Sequence, residues 1–155
     1  MALAYLDRQR CSTGLHHVEQ SALVFPRTSI GLGCAVAIAK SRWRASARCV
    51  VVGARTRVQS HAFICELVTI GEDCFVGHGV MFVNDTFSTG GPARGNKDLW
   101  RETVIGNRVS IGSNATIMPV RIADDVVIGA GAVVTRDITT SGTYAGNPAR
   151  RLPDK

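Results

Sequence analysis

Few residues of this sequence have the chemistry to act on a substrate, and their spacing limits what they could do. Of the four histidines, His16 and His17 are adjacent near the start, and His61 and His78 stand alone. An imidazole suits proton transfer near neutral pH, so His78 is a candidate general base, although the run Gly77, His78, Gly79 reads equally as a turn. His61 is the weaker candidate. The four do not make a three-ligand arrangement, so no metal site is expected, and adjacent histidines of the His16-His17 kind are ordinarily solvated surface. Asn84 and Asp85 end an apolar run, where such a pair starts a turn by local hydrogen bonding. For Glu66 a solvated surface carboxylate is the ordinary state. The five cysteines, Cys11, Cys34, Cys49, Cys65 and Cys74, form no C-x-x-C pair and are odd in number. That argues against a disulfide framework or zinc ribbon and for a reducing cytosol.

These residues need a scaffold. A length of 155 residues is one domain's worth of chain, with 45% hydrophobic and 19% charged residues, the balance of a folded protein. Sixteen glycines with only 6% aromatics suggest tight turns over a core of small aliphatic side chains, and hence β structure. Eighteen basic against twelve acidic residues give a net charge of +6. The basic residues are scattered, with no run of five or more, so no nucleic-acid arm is expected and small anionic ligands account for the charge equally well. No apolar stretch approaches the roughly 18 residues of a membrane span, and no signal-peptide core is recognisable. A cytoplasmic protein without membrane partners is expected.

The architecture follows from a repeat. Aliphatic side chains recur every six positions at Val52, Val58, Ile64, Ile70, Val76 and Phe82, then at Ile105, Ile111 and Ile117, then at Ile122, Ile128 and Val134. Four positions after each, the residue is small or β-branched, as at Thr56, Ala62, Val68, Cys74, Val80 and Thr86. A period of six is neither the 3.6 of a helix nor the 2 of a flat strand; it is a short strand plus a turn, repeated. Such strands are stable only when successive coils stack at about 4.8 Å and share one aliphatic core. The phase breaks at Val36–Cys49, where AIAKSRWRASAR would bury Arg42 and Arg48, at a five-residue step across Pro119, and over 85–103. The last is a polar stretch with Gly and Pro, too long for a hairpin, and long loops on rigid scaffolds usually carry function. After Val134 the repeat is no longer visible.

This pattern resembles the hexapeptide-repeat acyltransferases, over about residues 22–151. The resemblance implies an all-β, left-handed parallel β-helix with three hexapeptides, or 18 residues, per coil. A single domain, 1–155, would comprise a β-helix over 22–138 with a loop over 85–103 and a C-terminal extension over 139–155. The run FICELVTIGEDCFVGHGVMFVND, its loop, IGSNAT, IGAGAVVT and YAGNPAR look like the branch that N-acetylates amino sugars on a nucleotide diphosphate with acetyl-CoA. The IGAGAVV and NPAR segments are common to many CoA-dependent members; FVND and the loop are narrower and carry the acceptor assignment.

With 18 residues per coil, Glu66 lies one coil below Asn84, and His78 precedes Asn84 around one corner, so Glu66, His78, Asn84 and Asp85 are expected to cluster, outward-facing, at the root of the loop. The resemblance implies that Asn84 and Asp85 hold the sugar for attack on the thioester. Glu66, His61 and Trp100 are the further candidates for substrate contact, Trp100 either stacking on the nucleotide base or pinning the loop. For the donor, Gly112, Ser113, Gly129 and Ala130 offer small side chains for an extended pantetheine, Asn147 and Pro148 fix a loop beside it, and Arg150 meets its phosphates. Small residues there equally suit coil packing. An amine attacks from its free-base form, so orientation supplies much of the rate without a strong base.

The expected function is therefore acetyl-CoA-dependent N-acetylation of a nucleotide-linked amino sugar, a 3-amino-3,6-dideoxyhexose or 3-amino uronate. The resemblance further implies a homotrimer with sites between subunits. O-acetylation of a sugar or serine is the alternative, with His78 then required as base. A metal enzyme on the same fold and a non-catalytic scaffold are further rivals.

Overall fold

The computed structural model describes residues 50–153 and, before them, four two-residue strands: β1 (His17–Val18), β2 (Leu23–Val24), β3 (Ser29–Ile30) and β4 (Ala35–Val36). At the six-residue step follow β5 (Val51–Val52), β6 (Arg57–Val58), β7 (Phe63–Ile64), β8 (Val68–Ile70), β9 (Phe75–Val76) and β10 (Met81–Phe82). A loop containing a 3-10 turn, Lys97–Leu99, leads to β11 (Thr103–Ile105), β12 (Ser110–Ile111) and β13 (Thr116–Ile117). Then come β14 (Arg121–Ile122), β15 (Val126–Ile128), β16 (Val133–Val134), β17 (Gly142–Ala145) and β18 (Arg150–Arg151).

The chain visits three sheets in rotation. The first face orders β1, β4, β7, β10, β13 and β16; the second β2, β5, β8, β11 and β14; the third β3, β6, β9, β12, β15, β17 and β18. Neighbours are parallel throughout, except that β17 and β18 pair antiparallel. This is the left-handed parallel β-helix, a triangular prism with three edges. The first edge joins first to second face, the second edge second to third, and the third edge third to first.

Burial follows the period. Val52, Val58, Ile64, Ile70, Val76 and Phe82 are at most 2% exposed, and Ile105, Ile111, Ile117, Ile122, Ile128 and Val134 at most 3%. Cys74 takes an inward corner, as its position predicts, and Thr56 does so with its hydroxyl satisfied: Oγ1 donates to the Gly71 carbonyl at 2.8 Å and accepts from the Cys74 amide at 3.0 Å. Thr86 is a correction. It is half-buried in the loop, and the inward place above Val68 is taken by Thr103, where the coil resumes.

Coil length varies, and it varies at the first edge. His17 pairs with Ala35, 18 positions on, but Ala35 pairs with Phe63, 28 positions on. The face order therefore resumes after ten additional residues; the irregular segment itself, 37–49, lies outside the described residues, as do Cys11, His16, Cys34 and Cys49. Thr103 pairs with Val68, 35 positions back, which accommodates the long loop. Across Pro119 the step tightens, with Ile122 against Ile105, 17 positions apart. The coil also outlasts the visible repeat: Ile138 bridges Ile122, and Tyr144 stacks on Ile128, both 16 positions on and both buried.

Candidate functional site

The loop leaves the prism at the first edge and returns beside its own start, the Arg101 amide donating to the Asn84 carbonyl at 2.9 Å. Between the loop and the outer side of the first face lies a cavity of about 480 Å³, a size suited to a small molecule. Phe63 and Met81 reach it because they occupy the outward positions of β7 and β10, and Phe87 and Trp100 reach it from the two ends of the loop.

Glu66 and Asn84 meet here as the register requires: the Asn84 side-chain amide donates to the Glu66 carbonyl oxygen at 3.4 Å. The expected solvated state of Glu66 is wrong. It is 5% exposed, and Lys97 Nζ donates to Oε1 and Oε2 at 3.0 and 3.2 Å. A buried carboxylate without a counter-charge is costly, so loop and prism are tied together at this pair. Lys97 also lies 5.3 Å from the Trp100 ring centre, three residues on across the 3-10 turn, where side chains i and i+3 eclipse. Sequence reasoning missed Lys97, because nothing in a polar loop says which cation folds back.

The Asp85 carboxylate accepts from the amides of Phe87 at 2.9 Å and Ala93 at 2.7 Å, the turn-forming role of an Asp in this position. Cys65 also lines the cavity, its thiol pushed up to about 12 chiefly by burial, which leaves no thiolate for nucleophilic chemistry.

His78 is not part of this cluster. It follows β9 on the third face, so it projects from the third edge, exposed, where Nδ1 and Ser60 Oγ share a hydrogen bond of 2.8 Å one coil apart. His61 lies on that same edge, exposed and in the left-handed region at φ 63°. The donor candidates continue the edge: the Asn114 amide donates to the His78 carbonyl, and the Gly131 amide to the Ser113 carbonyl, both at 2.8 Å. Gly112 and Gly129 occupy the corner on successive coils. A Cβ on Gly112 would sit 2.5 Å from the Ala130 nitrogen, so coil stacking alone requires glycine there. Ala130 is exposed beside them, and Asn147 and Pro148 form the exposed turn between β17 and β18, which bonds to Val133 at both ends.

Arg150, on β18, is exposed and borders a smaller cavity of about 200 Å³ together with Arg136 and Arg151. Three arginines line one recess beside a single carboxylate, Asp137, a net positive lining that suits a phosphate. Among the described residues no group of three or more His, Cys, Asp or Glu is placed to hold a metal ion, and no helix is long and apolar enough to cross a membrane.

Comparison with known proteins agrees with this architecture. The family model of the hexapeptide repeat of succinyl-transferase matches residues 102–136. A serine acetyltransferase of Helicobacter pylori is 36% identical over 90 residues, 57% of this chain and 47% of the relative, so this chain spans about half the length of that protein. A maltose O-acetyltransferase from Clostridium difficile superposes with a TM-score of 0.65 at 23% identity, over 86% of this chain and 70% of the other. A variant of perosamine N-acetyltransferase from Caulobacter crescentus, in complex with CoA and GDP-perosamine, superposes with a TM-score of 0.59 at 22% identity, over 86% and 54%. These two likenesses are of fold.

Proposed function

We propose that this hexapeptide-repeat chain is an acetyl-CoA-dependent acyltransferase, and that it N-acetylates a nucleotide-linked amino sugar, a 3-amino-3,6-dideoxyhexose or 3-amino uronate. The acyltransferase reading draws on the acetyltransferase relatives and on a fold like that of the CoA-bound perosamine enzyme. The amine reading is carried by one observation. Within one chain both carboxylates at the cavity are engaged, Glu66 by Lys97 and Asp85 by two loop amides, and no imidazole of that chain lines it, so His78 could reach it only from the third edge of a neighbouring copy. A hydroxyl nucleophile needs proton removal in the transition state, whereas an amine already attacks from its free base, so a site that orients without a free base favours the amine.

In this reading Asn84 orients the acceptor, and Asp85 holds the loop that bears Phe87. Acetyl-CoA supplies an acyl group already activated as a thioester. Arg150, with Arg136 and Arg151, would hold its phosphates, and Ser113, Ala130 and the Asn147-Pro148 turn would line its path along the third edge. Within one chain that edge and the cavity stand one face apart. A homotrimer, with the third edge of one copy beside the cavity of the next, closes this gap and is part of the proposal.

The serine acetyltransferase relative and the maltose O-acetyltransferase neighbour favour a second reading, O-acetylation with His78 as base. Thiol release from acetyl-CoA, measured on matched 3-amino and 3-hydroxy nucleotide sugars with Asn84→Ala and His78→Ala, separates the two. N-acetylation predicts turnover of the amino sugar alone and a greater loss in Asn84→Ala. Turnover of the hydroxy sugar with near-complete loss in His78→Ala establishes the second reading, and no release with any acceptor leaves a scaffold protein.

A further inference from the structure

The cavity at the first edge has a lining that a sugar diphosphate does not explain. Phe63, Met81, Phe82, Phe87 and Trp100 are among its lining residues, and no lysine or arginine is. Its two carboxylates, Glu66 and Asp85, face inward or toward the loop, each already bonded. Lys97, from the loop, is spent on Glu66 and lies over Trp100. A diphosphate entering here would lose its hydration beside two carboxylates, with no lysine or arginine of the same chain lining the cavity to replace it.

The apolar side chains are held outward at some cost. Phe87 is 58% exposed and Met81 45%, both at the rim, and Phe87 sits at φ 52°, a conformation kept by the Asp85 hydrogen bond to its amide. Large apolar groups exposed together around one opening mark a binding surface, and an opening of about 480 Å³ between aromatic walls fits a ring.

We infer that this cavity binds a flat, uncharged aromatic ring carried by the acceptor, with the acceptor's phosphates outside it. The inference rests on the acceptor reading given above and extends it: the ring, not the charged part of the substrate, selects the acceptor at this edge. A nucleobase and a non-nucleotide aromatic group share this chemistry, and Trp100 and Phe87 are the residues on which either depends.

Isothermal titration of the full chain tests it with three probes: thymidine, 2-phenylethanol and glucosamine 1-phosphate, the last having no ring of this kind. At least one ring probe is expected to bind, weakening tenfold or more in both Trp100→Ala and Phe87→Ala and being retained in Trp100→Phe, while glucosamine 1-phosphate responds to none of them. Tighter binding of thymidine assigns a nucleobase, and tighter binding of 2-phenylethanol a non-nucleotide ring. Absence of binding by either ring probe, or binding indifferent to both alanine variants, overturns the inference. So does a Phe87→Ala chain whose oligomeric state changes while ring affinity does not, which would make the patch a contact between copies. A separate titration with acetyl-CoA keeps the two readings distinct: ring binding without acetyl-CoA binding sinks the transferase and leaves the ring site standing.

Discussion

The second and first edges of the prism are made by the same coils and are built on opposite plans. On the second edge Arg55, Asp73, Arg108 and Asp125 stack in successive coils, all in the left-handed region with φ between 55° and 60°. Arg55 Nε donates to Asp73 and Arg108 Nε to Asp125, each at 2.7 Å, so the signs alternate up the edge. One residue inserted here would slip every pair. On the first edge the coil length does not repeat. That corner admits ten additional residues after β4, the long loop after β10, and shortened steps after β13 and β16. The lesson is that a β-helix keeps register by spending two edges on stacking, which frees the third for loops and the cavity they enclose.

The largest expected effect sets the two plans against each other with glycines. A Cβ on Gly71, on the second edge, would lie 2.5 Å from the Gly106 carbonyl oxygen, whereas one on Gly91, in the loop, meets nothing within 4 Å. Gly71→Val is expected to cost roughly 3 kcal/mol in urea unfolding and Gly91→Val no more than about 0.5. Equal losses would abolish the distinction between the edges.

Next in size is the tie that holds the loop. Lys97→Ala strands the buried Glu66 carboxylate and should cost about 2 kcal/mol, with Lys97→Arg recovering most of it. Because Lys97 also fixes Trp100, the alanine variant should raise KM for the acceptor more than it lowers kcat. A KM left unmoved would confine Lys97 to stability.

Acid should act on the second edge in preference to the first. Hydrogen bonds from Arg55 hold the Asp73 carboxyl below its ordinary range, the Asn107 amide does the same for Asp124, and Arg108 for Asp125. Groups more acidic folded than unfolded contribute stability that is complete above the unfolded value, about 3.9, and disappears as pH falls from there through the lower folded values. Urea midpoints should therefore drop below about pH 4, and the drop should be shallower in the Asp73→Asn, Asp125→Asn double variant. An unchanged slope would locate the acid sensitivity elsewhere. Smallest is Arg55→Gln, a slight loss in melting temperature that added salt erases, since this pair is solvent-exposed.

Much of the fold is legible in the sequence because burial in a stacked coil is periodic. Val52 through Phe82 announce their inward places by spacing alone. Thr86 and Tyr144 escape for one reason: the coil length changes at the first edge, so counting by six from Phe82 or Val134 lands on the wrong residue. The site is less legible. Register places Glu66 beside Asn84, a contact fixed by the backbone, but the same count draws His78 into the cluster when it stands around a corner. The partner of Glu66 comes from the loop, whose path depends on hydrogen bonds such as those of Asp85 that no periodicity encodes.

The antiparallel pair of β17 and β18 changes the edge of the third face. Three stacked parallel sheets present open hydrogen-bonding rims, onto which another prism could add end to end and so begin a fibre. On the third face β18 runs antiparallel to β17 and places Arg150 and Arg151, both exposed, at that rim. An approaching copy would meet a reversed strand and a fixed positive charge in place of a matching parallel register. A charge-removing substitution made at Arg150 to probe phosphate binding should therefore be watched for turbidity as well, since it leaves only the reversed strand and Arg151 to obstruct edge pairing on this face.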